Sequence, residues 1–100
     1  MKKEIFVQSN QVIIKLYDEF YVEDASSLRE SMLPYFEKNY TDYVVDLTNL
    51  KYIDSSGLGV LIAIHKKAKA NNGNVIIKGM NGAVKELFEL TRLTKVFDTQ

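Results

Sequence analysis

The chain has 100 residues, in which 13 basic side chains are balanced by 13 acidic ones, and it has no cysteine. That length predicts one domain, residues 1–100, with a modest core. Balanced charge argues against direct binding of nucleic acid, and the lack of cysteine excludes disulfides and thiolate metal sites.

The first residues, MKKEIFVQSNQ, carry two lysines but no long apolar run after them, so they do not read as a secretory signal. Nothing approaches the ~20 apolar residues that a membrane span needs. The expectation is a cytoplasmic protein without a membrane partner.

Glu4–Gln8 is a short apolar run, and Val12–Tyr17 is rich in β-branched residues. Two such runs around Ser9-Asn10-Gln11 predict a β-hairpin. Asp18 to Glu23 reads as a loop. Asp24 is a good N-cap, and Ala25, Leu28, Met32 and Phe36 follow at helical spacing, predicting a helix to about Lys38. Pro34 lacks a backbone donor and should kink that helix or end it early.

Tyr43–Leu47 is a nearly continuous apolar strand, which suggests a central position buried on both faces. A polar turn then separates it from a second short apolar piece, Tyr52-Ile53. A helix is expected from Gly57 to Asn71. Its 100° steps put Val60, Leu61, Ile64 and Ala68 on one face, with Gly59, Ala63, Lys66 and Ala70 opposite. Ile62 lies between that second face and Leu58. Asn71-Asn72-Gly73-Asn74 is a stop and turn. A strand at Val75–Lys78, a helix from Ala83 to about Thr91 and a short strand at Lys95–Asp98 complete the chain. The order β-β-α-β-α-β-α-β predicts an α/β fold with parallel crossovers and one antiparallel hairpin strand.

The densest chemistry lies in Tyr52-Ile53-Asp54-Ser55-Ser56-Gly57-Leu58-Gly59. From spacing alone, Asp-Ser-Ser-Gly is first a good helix start, because Asp and Ser side chains accept opening backbone N–H groups. The same opening N–H groups and the helix dipole favour an added anion, so a hydroxyl there is well placed to carry phosphate. His65, the single histidine, cannot act as base for Ser55: ten helical residues span about 15 Å, far beyond hydrogen-bond reach. No Gly-x-Ser-x-Gly elbow and no Gly-Lys-Ser/Thr phosphate loop is present. Gly57-Leu58-Gly59 lacks the third glycine of a dinucleotide site. Carboxylate pairs such as Glu23-Asp24 have no histidine near them in sequence, so no metal site and no cofactor are expected. Lys66, Lys67 and Lys69 read as a solvated helix face.

The strand Val44-Val45-Asp46-Leu47, followed by Asp54-Ser55-Ser56-Gly57-Leu58-Gly59 opening a helix, resembles the STAS domain family. Within it the match is to the bacterial anti-sigma factor antagonists, and the likeness runs along nearly the whole chain. The resemblance implies a mixed β-sheet with helices packed mainly on one face. It implies a binding protein and not an enzyme, with Ser55 as phosphoacceptor and Ser56 as a capping hydroxyl. Asp54 either caps the helix or takes part in phosphotransfer.

The implied partners are an anti-sigma factor that is also a serine kinase of the histidine-kinase ATPase type, and a PP2C-type phosphatase. Binding to the first would release a sigma factor for transcription. The expected contact surface is Asp54, Ser56, Gly57, Gly59, Ile62, Ala63 and Lys66, where small residues leave room beside the switch serine. One stretch departs from the family. Regulatory members carry Gly-x-Leu-Asp after the second strand, and this chain has Asp18-Glu19-Phe20-Tyr21. That departure keeps a second reading open: a STAS signalling module that binds a small ligand or joins a larger assembly without efficient phosphorylation.

Overall fold

The computed structural model describes residues 2–100. In chain order these form β1 Lys3–Gln8, β2 Gln11–Phe20, α1 Val22–Glu37, β3 Asp42–Ile53, α2 Ser55–Ala70, β4 Asn74–Lys78, α3 Gly82–Leu90, a 3-10 turn at Leu93–Lys95 and β5 Asp98–Thr99. The strands make one sheet in the order β1-β2-β3-β4-β5. Only the β1–β2 pair is antiparallel. Right-handed crossovers that always advance the same way bring all three helices to one face.

Burial follows from that arrangement. Val12, Ile14 and Leu16 of β2, Tyr43, Val45 and Leu47 of β3, and Val75 and Ile77 of β4 point to the helices. There they meet Leu28 and Met32 of α1, Leu61 and Ile64 of α2, and Val84 and Phe88 of α3. The face expected to be buried on α2 is the buried one, and Ala63, Lys66 and Ala70 are exposed. The hairpin turn is also settled. Ser9 and Asn10 both have positive φ, 52° and 63°, as a two-residue type I′ connection requires.

Several boundaries differ from expectation, each for a physical reason. Residues 18–20 are strand and not loop, because Phe20 is fully buried and Asp18–Phe20 pair with Leu50–Ile53. Asp18 takes φ 65° beside a register shift in that ladder, the backbone region a glycine would enter freely. Helix α1 starts at Val22 with Tyr21 as N-cap. Asp24 is therefore inside the helix, where its carboxylate accepts the Tyr21 N–H at 3.1 Å. That hydrogen bond holds the Asp24 carboxyl below its usual range.

The helix also runs through Pro34 to Glu37, so it does not end early. Lys38 N–H still reaches the Pro34 carbonyl at 3.1 Å.

The two apolar pieces around Thr48-Asn49 are one strand, β3, held across the polar residues by pairing of Tyr17 with Asn49 and Asp18 with Leu50. The expected central position of β3 holds, with Tyr43, Val44, Val45 and Leu47 all buried. Val44 is shielded by its neighbours within the sheet, and Asp46 beside it stays partly exposed. At the C-terminal end, Leu93 and Phe97 are the buried anchors. The chain turns tightly between them, so the last strand begins at Asp98 and not at Lys95.

His65 stands edge-on to Phe97, with ring centroids 4.9 Å apart. Its Nε2 is buried and has no hydrogen-bond partner among the described residues. Burial, and then the charge of Lys69, disfavour the imidazolium and lower the His65 pKa. Neutral His65 therefore supports the fold fully above pH ~6.5, and that support is lost as pH falls below this ordinary value. A proton NMR titration of the sole imidazole should give a midpoint below ~6.5, and a midpoint at or above it would contradict this environment.

Candidate functional site

The site lies where β3 leaves the sheet. Asp54 is extended, with φ −103° and ψ −179°, and α2 begins at the next residue. One oxygen of its carboxylate, Oδ1, accepts the Gly57 N–H at 2.9 Å. The other, Oδ2, accepts the Val22 N–H of α1 at 3.0 Å. Asp54 also donates its own N–H to the Phe20 carbonyl at 3.2 Å. A single side chain thus caps two helices and fixes their N-termini side by side at one edge of the sheet.

Gly57 sits under this junction. A Cβ there would stand 2.7 Å from Ile53 Cγ1 and 2.8 Å from the Phe20 carbonyl oxygen. The first turn of α2 rests directly on the ends of β2 and β3 because residue 57 has no side chain. Gly57 therefore faces inward and packs on the ends of β2 and β3. Gly59 is different: a Cβ there would meet nothing within 4 Å.

Ser55 is the first residue of α2 and is exposed, and Ser56 is half-buried. The capping role expected of the Ser56 hydroxyl belongs to Asp54, whose carboxylate already takes the Gly57 amide. The amides of Ser55 and Ser56 have no intrahelical partner, as at any helix start. Two helix N-termini thus present partial positive charge close to the Ser55 hydroxyl. Gly59, Ile62, Ala63 and Lys66 continue from Ser55 at offsets of four, seven, eight and eleven residues, one stripe along α2. Ile62 is half-buried against the core, and Ala63 and Lys66 are exposed.

The end of β2 also borders the site, as the family resemblance implies for the Asp18–Tyr21 stretch, through the Phe20 carbonyl that accepts the Asp54 N–H. Burial and then the charges of Glu19, Tyr52, Asp54 and Glu23 raise the Tyr21 pKa, which places that phenol among acidic groups beside the site. Tyr52 is an exposed large ring. His65 packs against Phe97 near the other end of the chain, away from Ser55.

The STAS domain family model matches residues 2–100. The chain belongs to the STAS domain family. An anti-sigma-B factor antagonist of Bacillus subtilis (strain 168) is 29% identical over 89 residues, covering 89% of this chain and 81% of the relative. One from Staphylococcus epidermidis is 31% identical over 80 residues, covering 80% of this chain and 74% of the relative. Among solved structures, the anti-sigma factor antagonist SpoIIAA in its unphosphorylated form superposes with a TM-score of 0.80 at 18% identity, over 99% of this chain and 87% of that one. The phosphorylated form of Bacillus SpoIIAA gives 0.79 at 19%, over 99% and 91%. The expected fold, a mixed sheet with helices on one face, is that of these STAS structures. Among the described residues, no helix is long and apolar enough to cross a membrane.

The double cap generates a stability prediction for this STAS domain. Asp54→Ala removes acceptors from two helix N-termini at once and should cost about 2 kcal/mol, twice a typical single cap. Asp54→Asn, which keeps one acceptor oxygen, should cost less. Urea unfolding measures both, and a loss near zero for Asp54→Ala would show that the shared cap adds nothing.

Proposed function

We propose that this chain is an anti-sigma factor antagonist, working in the cytoplasm as a phosphorylation-controlled partner switch with Ser55 as the switch residue. The observation that carries the reading is an exposed serine at the first position of a helix, directly after the capping Asp54. The relatives named as anti-sigma-B factor antagonists supply the partner class. The antagonist names of its relatives support a protein that binds and does not catalyse.

Unphosphorylated, it binds an anti-sigma factor that is also a serine kinase of the histidine-kinase ATPase type. The sigma factor is then free for transcription. The kinase transfers the terminal phosphoryl of its ATP to the Ser55 oxygen, and the serine proton leaves with the kinase's base. A PP2C-type phosphatase returns the hydroxyl. Phosphate adds roughly −1.5 to −2 charges. Within the free protein the helix N-terminus offsets part of that by roughly 0.3–1 kcal/mol. In the complex the phosphate must lose water against a surface fitted to a neutral hydroxyl, beside Asp54, Glu19 and Glu23. Binding therefore weakens while the fold persists. At the Asp18–Tyr21 departure, Asp18 itself takes the left-handed conformation that a glycine would enter freely.

Incubation with the cognate kinase and ATP should add one phosphate, on Ser55, as mass spectrometry of the digested protein reads out. Ser55→Ala should remain bound to the anti-sigma factor, and Ser55→Asp should bind weakly. Phosphate on Ser56 would reassign the acceptor. Binding without any phosphate transfer would favour the ligand-binding or assembly module instead.

The contact surface is separately testable. Gly59 has open space where a side chain would go, so Gly59→Arg should leave the circular dichroism spectrum unchanged and abolish binding to the anti-sigma factor. Unchanged affinity would place the interface away from the Ser55–Lys66 stripe.

A further inference from the structure

The face of the sheet turned away from the helices carries an ordered pattern that the switch does not use. Alternation along each strand and the register between strands put Glu4, Lys15, Asp46 and Lys78 in one row across β1, β2, β3 and β4. The row reads minus, plus, minus, plus. Beside it, Phe6, Ile13, Val44 and Ile76 form a parallel apolar row in the same four strands. Phe6 is 37% exposed, and Lys15 Nζ lies 5.8 Å from its ring centroid. Lys78 Nζ lies 4.0 Å from Asp46 Oδ2. No helix covers this face.

We propose that the open sheet face is a self-association surface and that its occupant is a second copy of this chain. The argument is the symmetry of the charges. A two-fold axis parallel to the strands, passing between β2 and β3, lays each row on its own copy in reverse order. Glu4 then meets the partner's Lys78, and Lys15 meets the partner's Asp46. In the adjacent row Phe6 meets the partner's Ile76, and Ile13 meets the partner's Val44. Within these two rows of four, each charge faces its opposite and each apolar residue an apolar one, while Asp98 of β5, which continues the second row beside Ile76, lies outside the overlap.

An even-numbered alternating row is self-complementary under this operation, which is what an isologous dimer requires. Two sheets stacked in this way keep their strands within about 30°, the usual aligned packing. Long side chains at positions 4 and 78 span the offset that twist introduces. The seven residues after Asp46, up to Ile53, carry β3 roughly 20 Å further toward its C-terminal edge. Both Ser55 turns therefore stay open in the dimer. This inference does not rest on the proposed switch.

Within one chain, Glu4 and Lys78 are three strands apart, roughly 14 Å, too far for direct pairing. A charge exchange between them can therefore restore only an intermolecular contact. Sedimentation of the full chain at low salt should show a concentration-dependent dimer. Glu4→Lys alone and Lys78→Glu alone should each weaken dimerisation about tenfold or more, since two symmetry-related contacts turn repulsive. The double variant Glu4→Lys/Lys78→Glu should recover most of the loss.

Circular dichroism verifies the fold of each variant, and Lys78→Gln with Glu4→Gln, which remove charge without reversing it, serve if a reversal unfolds. A chain that stays monomeric to roughly 1 mM would overturn the proposal. So would a dimer insensitive to both single changes, or one that the double variant fails to restore.

Discussion

One carboxylate holds the working end of the molecule together. Asp54 accepts a backbone amide from α2 with one oxygen and from α1 with the other, and its own amide is bound by the end of β2. Remove it and two helices lose their shared reference point. The inward-facing Gly57 makes the arrangement possible, since only a residue without Cβ lets the helix start rest on Phe20 and Ile53. Everything proposed for Ser55 follows from this rigid setting. The hydroxyl is displayed on a fixed ledge where added charge is tolerated by the fold and conspicuous to a partner.

The same rigidity bears on how a switch could operate here. With the first turn pinned from two sides, a modification at Ser55 has little room to move α2. The difference between two states would then lie in surface charge and hydration and not in a rearranged backbone.

Much of this was legible from local chemistry. Asp54 as a cap, Ser55 at a helix start, and the buried stripe of Val60, Leu61, Ile64 and Ala68 all follow from rules that act within a turn or two. What was not legible depended on distant partners. The start of α1 was misplaced because part of its cap comes from Asp54, 32 residues away. The strand β3 was split because Thr48 and Asn49 have turn chemistry, while Asn49 pairs with Tyr17 of β2 and Thr48 is held by the Asp46 carboxylate. The tight approach at Gly57 has no local signal beyond the glycine itself.

Strand order along the sheet is the same as strand order along the chain. No strand has to be inserted between two that are already paired. A chain leaving the ribosome can therefore lay each strand and helix onto an edge formed a moment earlier, beginning with the hairpin. Parallel pairing forms slowly because each step must first close a long crossover. During that interval β3 is the growing edge, with Val45 and Leu47 uncovered until α2 folds back over them. The stretch that displays the finished site is thus also the one most exposed to wrong partners while the protein is being made.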